Sequence, residues 1–283
     1  MITPEKEEYV LTKAYIPEHI VSLMTLISKG EPFLIKDYLY FKNDNWLIFI
    51  GYPLEKNLSE EEFEAALMDV VNRYNPESTW FIAPEIPPSL LNACQRSEAD
   101  EYYKLDLQGL KIKSNLMRIS RKASMEATVE REKAILKEHE RLIADFIELE
   151  KPQDMIKQLF LSIPEYVNHS NAAVVLNARD KEKNLSAFYV IDLSAAEFAA
   201  YVVGCYSRKH YVPHASDLLF LEMINLAKEH KKDYINLGLG VNEGIKRFKV
   251  KWGGAPFLKY KFCELSSKRS KAFEFVRLFQ SKF

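Results

Sequence analysis

The sequences GCYSRKHYVPHAS, at residues 204–216, and YINLGLGVNEGIKRFKVKWGG, at residues 234–254, decide the fold of this chain. The first is a polar loop that follows an apolar run and leads into an amphipathic helix opened by Ser216. The second contains a short strand, a glycine-spaced turn and a basic aromatic segment, and an alternating strand follows at Phe257–Leu265. The predicted order is strand, basic loop, helix, strand, glycine turn, basic segment and strand.

Glycine is concentrated in this part of the chain. Five of the nine glycines fall between Gly238 and Gly254. Because glycine adopts positive φ and allows close approach to the backbone, this crowding predicts tight turns or a surface that meets another molecule.

Composition indicates a globular protein without a general affinity for polyanions. The 283 residues are 47% hydrophobic, which supports a large core, and the formal net charge is −1. Any binding of phosphate must therefore come from local clusters of basic residues. A small anionic molecule is the favoured partner over a long polyanion.

The cysteines and the N-terminus predict a cytoplasmic protein. Cys94, Cys205 and Cys263 are odd in number, far apart and without a C-x-x-C pair, so neither a disulfide framework nor a zinc cluster is expected. No apolar run approaches the roughly 18 residues that span a bilayer, and residues 1–8 lack the features of a signal peptide.

The first half of the chain is predicted to combine helices with antiparallel strands. Ser59 and Glu62 form a capping box, and the helix that they open ends at Asn75. The remaining elements are a helix within residues 9–28, strands at 33–41, 46–52, 79–83 and 101–107, and a short helix near 90–94.

The middle of the chain contains a basic segment with two interpretations. Residues 111–122 hold five basic side chains and no acidic one. They form either a solvated helix face or a phosphate-facing helix at the seam of two domains. A helix is predicted within residues 130–150, and Pro152 opens another that Ser162–Pro164 closes. Strands are expected at 172–178, 185–192 and 197–205, with antiparallel neighbours.

The second half resembles the GNAT acyltransferase superfamily. The residues that carry the resemblance are Tyr201-x-x-Gly204, the helix at 216–232, the strand at 234–238 and Gly244-x-x-x-Phe248-Lys-x-Lys-Trp-Gly253. The whole chain is similar to the tandem-GNAT arrangement of Fem-type peptidyltransferases, whose phenylalanine-lysine segment looks like Phe248-Lys249. Residues 116–129 look like the arginine-rich segment that enters the second domain in that family.

This resemblance implies the fold class and the reaction. The fold class is α+β, with two GNAT-like mixed-sheet domains in tandem and helices packed on the sheets. The expected divisions are an N-terminal domain at 1–124, a C-terminal domain at 125–265 and a C-terminal helix at 266–283. The reaction is transfer of an acyl group to a primary amine without a metal, from acyl-CoA or from aminoacyl-tRNA.

The loop before the helix at Ser216 is the predicted donor site. Helix N-termini present unpaired N–H groups and a positive dipole end, which suit a phosphate. The alternative is a polar surface connection. The loop also departs from the superfamily, because it lacks the glycines of the usual pyrophosphate loop. The predicted donor-binding residues are Cys205, Tyr206, Ser207, Arg208, Lys209, His210, His214, Ala215 and Ser216.

The predicted catalytic residues are Lys249, Phe248, Glu243 and Tyr211. The Fem-type resemblance implies that Lys249 stabilises the developing oxyanion. The alternative is that Lys249 belongs to the wet face of a helix. Glu243, His210 and His214 are candidate general bases, and Tyr206 or Tyr211 is a candidate proton donor to the leaving thiolate. Cys205 ends an apolar strand, which favours packing over a nucleophilic role.

Three functions are consistent with these residues. The first is an acyl-CoA-dependent N-acyltransferase with a small-molecule amine or peptide acceptor, and neither DNA binding nor membrane insertion is expected. The second is a Fem-type transferase that uses aminoacyl-tRNA on a cell-wall precursor, for which the basis is Lys111–Lys122 together with basic residues after 266. The third is a binding module without catalysis, which the missing glycine loop motivates.

Overall fold

The computed structural model describes residues 1–152 and 154–265. The predicted C-terminal helix at 266–283 lies outside the described residues. So do the basic side chains of that segment, Lys268, Arg269, Lys271, Arg277 and Lys282.

Within the described residues, eleven strands form one continuous mixed sheet in the order β1-β2-β3-β4-β11-β5-β10-β9-β8-β7-β6. The strands are β1 Glu31–Ile35, β2 Tyr38–Lys42, β3 Trp46–Ile50, β4 Ser78–Ala83, β5 Cys94–Asp106, β6 Ala127–Glu132, β7 Ala173–Asp180, β8 Leu185–Asp192, β9 Phe198–Tyr206, β10 Tyr234–Leu239 and β11 Ala255–Leu265.

Helices cover both faces of this sheet. Their bounds are α1 Pro4–Lys13, α2 Val21–Ser28, α3 Glu60–Tyr74, α4 Pro88–Leu91, α5 Ser114–Ala123, α6 Lys137–Glu150, α7 Asp154–His169, α8 Ala215–Glu229 and α9 Glu243–Lys251. The buried side chains place α3, α5, α8 and α9 on one face, which we call the front. They place α1, α2, α6 and α7 on the other face, the back.

The last strand joins the two halves of the sheet. β11 pairs antiparallel with β4 on one side and with β5 on the other, and β5 pairs antiparallel with β10. Two strands from the first half of the chain therefore flank a strand from its end. This arrangement places β5, β10 and β11 at the centre of the sheet, where neighbouring strands satisfy their backbone groups.

Several predicted elements are confirmed. The Ser59 hydroxyl accepts a hydrogen bond from the Glu62 N–H at 3.3 Å, and Asn75 ends α3 in a left-handed conformation. The strands predicted near 172–178, 185–192 and 197–205 are β7, β8 and β9, and they pair antiparallel as expected.

Two predictions in the first half are wrong in detail. The single helix predicted within 9–28 is two helices, α1 and α2, with a short 3-10 helix at Pro17–His19 between them. Pro17 has no N–H and its ring crowds the preceding turn, so the helical pattern is interrupted there. The strand predicted at 33–41 is a hairpin of β1 and β2, because Lys36 turns the chain at a φ of 50°.

Two predictions in the middle of the chain are also corrected. The helix predicted at 130–150 begins only at Lys137, because Ala127–Glu132 forms the edge strand β6. The following helix does not close at Ser162–Pro164, since Pro164 lies inside α7. Ile163 and Tyr166 on either side of Pro164 are completely buried, and this packing holds the helix together across the lost hydrogen bond.

The expectation of no disulfide is also wrong. Cys94, at the start of β5, is bonded to Cys263 on β11, with a Cα–Cα distance of 5.7 Å. The two residues are 169 positions apart in sequence, so spacing along the chain gave no signal of the pairing. Pairing of β5 with β11 brings them together.

A buried carboxyl group lies where the N-terminal segment covers the back of the sheet. The Oε2 of Glu18, in the 3-10 helix, and the Tyr102 hydroxyl are both buried, and the two groups interact with each other. Burial raises the pKa of Glu18 to about 7. The charge of Glu18 adds to burial in raising the pKa of Tyr52, Tyr102 and Tyr260.

Glu18 should therefore make stability depend on pH. The folded state binds a proton on Glu18 that the unfolded chain releases near pH 4.5, so stability should fall as the pH rises from 4.5 through about 7. The expected loss is on the order of 3 kcal/mol. Urea unfolding of Glu18→Gln at pH 5 and pH 8 should show most of this dependence gone. Glu8→Gln, an exposed change on α1, should keep it, and equal slopes in the two variants would refute the assignment.

Candidate active site

The parallel strands β9 and β10 stop pairing before either strand ends. Their last paired residues are Ala200 and Asn236, although β9 continues to Tyr206 and β10 to Leu239. β9 contains a bulge at Val202, where its register with β8 shifts. β10 is also irregular beyond Asn236, where Gly238 has a φ of 70°. The central sheet is therefore open at this end.

A pocket lies between the end of β9 and the N-terminus of α8. Its volume is about 290 Å³. The lining residues are Ser186, Tyr206, Tyr211, Val212, His214, Ala215, Ser216 and Asp217. Five of the predicted donor-site and catalytic residues are thus brought together: Tyr206, Tyr211, His214, Ala215 and Ser216. His214 precedes α8 in a left-handed conformation, which turns the loop into the helix.

The other predicted donor-site residues do not line this pocket. Arg208 forms an exposed ion pair with Glu150 at 3.3 Å, and Lys209 is exposed. His210 Nδ1 lies 3.9 Å from a carboxylate oxygen of Asp180.

Ser207 and Cys205 are structural residues of the loop and of β9. The Ser207 hydroxyl accepts a hydrogen bond from the backbone N–H of the loop residue His210 at 2.9 Å. Burial raises the pKa of the Cys205 thiol to about 12. A thiol that stays protonated at neutral pH is a poor nucleophile, so Cys205 packs rather than reacts.

Ser186 is a pocket residue that sequence reasoning missed. Its side chain is buried on β8, and its hydroxyl has no hydrogen-bond partner among the described residues. A free hydroxyl beside the first turn of a 15-residue helix provides a donor next to unpaired backbone N–H groups. Ser186 sits in an apolar strand sequence, so nothing in the pattern distinguishes it from a residue of the core.

Asp217 is the second residue that sequence reasoning missed, because the helix dipole alone accounts for an aspartate in the first turn of a helix. Its buried carboxylate accepts three hydrogen bonds from other parts of the front face. Lys251 Nζ donates at 2.5 Å, Trp252 Nε1 at 3.0 Å and His214 Nδ1 at 3.1 Å. Asp217 therefore ties α8, α9 and the loop together.

Lys249 is buried on the inner side of α9 and is only 4% exposed. Its ammonium donates a hydrogen bond to the carbonyl of Leu239, the last residue of β10, at 2.5 Å. It also lies over the ring of Tyr103, 5.6 Å from the ring centre. Burial lowers the pKa of Lys249 to about 8, and the charge of Asp100 opposes that shift.

The structure places the remaining predicted catalytic residues differently. Phe248 is half-buried and packs edge-on against Phe220 with ring centres 5.4 Å apart. Glu243 lies in the first turn of α9 with a side chain that is 81% exposed. Tyr211 is 61% exposed at the rim of the pocket. Phe248 and Glu243 both lie on α9 with Lys249, but Phe248 is directed inward whereas Glu243 is directed into solvent.

Comparison with known proteins identifies the fold. No protein-family model matches the sequence, and no curated protein matches it. L-PGS from Bacillus licheniformis has a similar structure, with a TM-score of 0.58 at 17% identity over 98% of this chain and 96% of that one. FemX gives 0.60 at 10% identity over 92% and 96%.

A third similar structure is a tandem GNAT protein from the clavulanic acid biosynthesis pathway. It gives a TM-score of 0.54 at 10% identity over 82% of this chain and 79% of that one. At identities this low, structural similarity shows a shared fold alone. The chain has the tandem GNAT fold, as the sequence resemblance predicted.

Two further features were sought among the described residues: a cluster of metal ligands and a helix able to span a membrane. In residues 1–152 and 154–265 no group of three or more His, Cys, Asp and Glu side chains is arranged to hold a metal ion. In the same ranges no helix is both long and apolar enough to cross a bilayer.

Proposed function

We propose that the protein is an N-acyltransferase that moves an acyl group from an acyl-CoA-like thioester to a primary amine. The observation that carries this proposal is the buried ammonium of Lys249 beside the open end of β10. A cation in a dry site stabilises a developing negative charge more strongly than a cation in water does. The tandem GNAT fold supports the same reaction class.

The reaction needs a stabilised oxyanion. The amine nitrogen attacks the carbonyl carbon, and the carbonyl oxygen becomes negative in the tetrahedral intermediate. In this proposal Lys249 turns from the Leu239 carbonyl to that oxygen. The C–S bond then breaks, and the thiolate leaves with a proton from Tyr211 at the rim of the pocket.

The amine must lose one proton to become a nucleophile and a second after it has attacked the carbonyl. His214 is the favoured general base for these steps. An ionised carboxylate only accepts hydrogen bonds, so Asp217 requires His214 to donate from Nδ1. The neutral ring then carries its lone pair on Nε2, which can take a proton. Glu243 remains an alternative, although its side chain points into solvent.

The donor phosphates are assigned to the pocket at the start of α8. The backbone N–H of Ser216 and the hydroxyl of Ser186 are its donors, since the Ala215 N–H already donates to the Val212 carbonyl at 3.2 Å. Tyr206 and Tyr211 supply exposed aromatic surface at the rim. Lys209, exposed on the same loop, adds positive charge, whereas the charge of Arg208 is paired with Glu150.

Thermal unfolding with acetyl-CoA, longer acyl-CoAs and free coenzyme A tests this assignment. A ligand that binds only the folded state stabilises it by about 2.7 kcal/mol at one hundred times its Kd, which raises the Tm. Ser186→Val should reduce the shift by removing one donor, whereas Ser194→Val, away from the pocket, should not. Absence of any shift at saturating donor would reject a CoA-type donor.

A second candidate donor is aminoacyl-tRNA, which the Fem-type resemblance implies. The specific observation is that loop residues 207–214 contain no glycine and that a carboxylate, Asp217, lies in the first turn of α8. Both features are unfavourable for close approach of a pyrophosphate. Transfer of a radiolabelled amino acid from charged tRNA to an amine, without any response to acyl-CoA, would favour this donor. A donor that binds without transfer would favour the binding module.

A further inference from the structure

The outer surface of α5 and the loop before it carries positive charge that no neighbouring carboxylate in residues 1–152 and 154–265 balances. The five cations are all exposed: Lys111, Lys113, Arg118, Arg121 and Lys122. In the part of the chain that the structure describes, none of them has a carboxylate within 4.0 Å. The whole protein has a net charge of −1, so this surface is a local exception.

The carboxylates nearest in sequence are already engaged. Asp106, which precedes this segment, binds Lys104 at 2.8 Å. Glu126, which follows it, binds Lys181 at 2.6 Å. Between these two acids the sequence contains no Asp or Glu. The segment therefore contains no carboxylate that could neutralise its five cations.

The two glutamates of α8, the helix against which α5 packs, are engaged too. Glu222 and Glu229 both bind Arg131, at 2.6 and 2.5 Å. Arg131 lies on the edge strand β6, and its guanidinium forms ion pairs with both carboxylates. The cations of α5 are left to interact with solvent or with an anionic partner.

Exposed apolar side chains lie among these cations. Met117 is 41% exposed and Met125, just after the helix, is 66% exposed. Met117, Arg121 and Met125 recur every four residues, and Arg118 and Lys122 form the adjacent row. On the inner side, Leu116 and Ala123 are buried in the front core, so the helix is anchored while its outer rows remain free.

We infer that the outer surface of residues 111–125 docks on an anionic phospholipid bilayer. Lysine and arginine are attracted to lipid phosphates, and methionine can enter the acyl boundary below them. A nucleic-acid backbone would use the cations but would leave both methionines in water. The pattern therefore fits a lipid surface, on which α5 lies flat without crossing it.

Co-sedimentation with lipid vesicles tests this inference. The full chain should pellet with vesicles that contain about a third phosphatidylglycerol and should stay in solution with pure phosphatidylcholine, and added salt should weaken binding. Arg118→Glu with Lys122→Glu should lower binding to the anionic vesicles by about tenfold or more. Met117→Gln with Met125→Gln should weaken the binding that persists at physiological salt.

A matched control is available on the opposite face of the sheet. Lys137 and Arg141 on α6 are also exposed and four residues apart, and no ion pair within 4.0 Å holds either of them among the described residues. Lys137→Glu with Arg141→Glu changes the net charge by the same amount as the α5 variant. If it lowers vesicle binding equally, the effect is one of net charge and the inference is overturned.

Binding of unfractionated tRNA to the same variants separates lipid from nucleic acid. The inference is overturned if the α5 variant loses tRNA retardation while neither it nor the parent protein binds anionic vesicles. It is also overturned if the parent protein does not pellet at low salt. The test needs no acyltransferase activity, so its outcome is independent of the proposed function.

Discussion

Lys249→Met should lower kcat by about a hundredfold or more, while the protein stays folded. The change removes the only buried cation that the described residues place at the open end of β10, and with it the stabilisation of the oxyanion. Acyl transfer under saturating donor and acceptor measures the effect. Because the loss falls in the transition state, kcat should fall more than KM changes.

The same variant should be more stable than the parent. Burial lowers the pKa of Lys249 from 10.5 to about 8, which means that the charged form is held at a cost on the order of 3 kcal/mol at neutral pH. The unfolded chain binds the proton more tightly, so parental stability should rise as the pH increases from about 8 toward 10.5. Lys249→Met should lack that rise.

Lys246→Met is the matched control for activity and stability. Lys246 lies on the same helix, but its side chain is 35% exposed and pairs with Glu243 at 3.6 Å. That variant should retain most of the parental rate. If Lys249→Met turns over normally, Lys249 has no part in the mechanism, whatever its effect on stability.

Asp217→Leu should destabilise the fold by about 2–3 kcal/mol and also reduce transfer. The substitution leaves the buried indole N–H of Trp252 without an acceptor and releases Lys251. It also frees His214, whose Nδ1 no longer has a fixed partner. Urea unfolding measures the first effect, and the pH dependence of kcat measures the second.

Asp217→Asn separates the two roles of this side chain. The amide keeps an oxygen acceptor for the Trp252 indole, but its NH2 donates to His214 Nδ1 and leaves the ring proton on Nε2, so stability should largely return while the rate stays low. Glu243→Ala, at the exposed start of α9, should leave stability near the parental value. A fully active Asp217→Asn would remove His214 from the role of base.

The hydrogen bonds of Asp217 link the pocket at the start of α8 to the end of α9. One carboxylate binds the residue that precedes α8 and two residues at the end of α9, which also carries Lys249. A shift of the loop at His214 is therefore coupled to the position of α9. Such coupling would let donor binding at the pocket adjust the cation at the strand opening.

Local signals in the sequence predicted elements where local chemistry was decisive. The Ser59 hydroxyl caps α3 as its spacing with Glu62 indicated, and the alternating strands β7, β8 and β9 pair as expected. The hairpin at Lys36 and the strand at Ala127–Glu132 were missed. Neither element is marked by a glycine or proline turn signal in the sequence. Pairing with neighbouring strands determines where each one forms.

The tertiary structure decided which of the predicted site residues are buried. The packing of α9 on Tyr103 and Leu239 excludes the wet helix face for Lys249, and its part in a reaction stays a prediction. Ser186 and Asp217 carry no local signal, because their roles depend on which elements meet at the start of α8. Tertiary contacts also separated the predicted donor-site residues. Tyr206 and His214 line the pocket, whereas Arg208 pairs with Glu150.

Resemblance to the GNAT superfamily implied the tandem fold. By itself, the sequence determined the order of most elements and the crowding of glycines near α9. These depend on periodicity, capping and turn chemistry, which act over a few residues. Tertiary structure alone decided that β11 joins the halves, that Cys94 meets Cys263, and that the charge of Lys249 is buried whereas the cations of α5 are not. Contacts between residues more than a hundred positions apart set burial and ion pairing, and no local pattern records them.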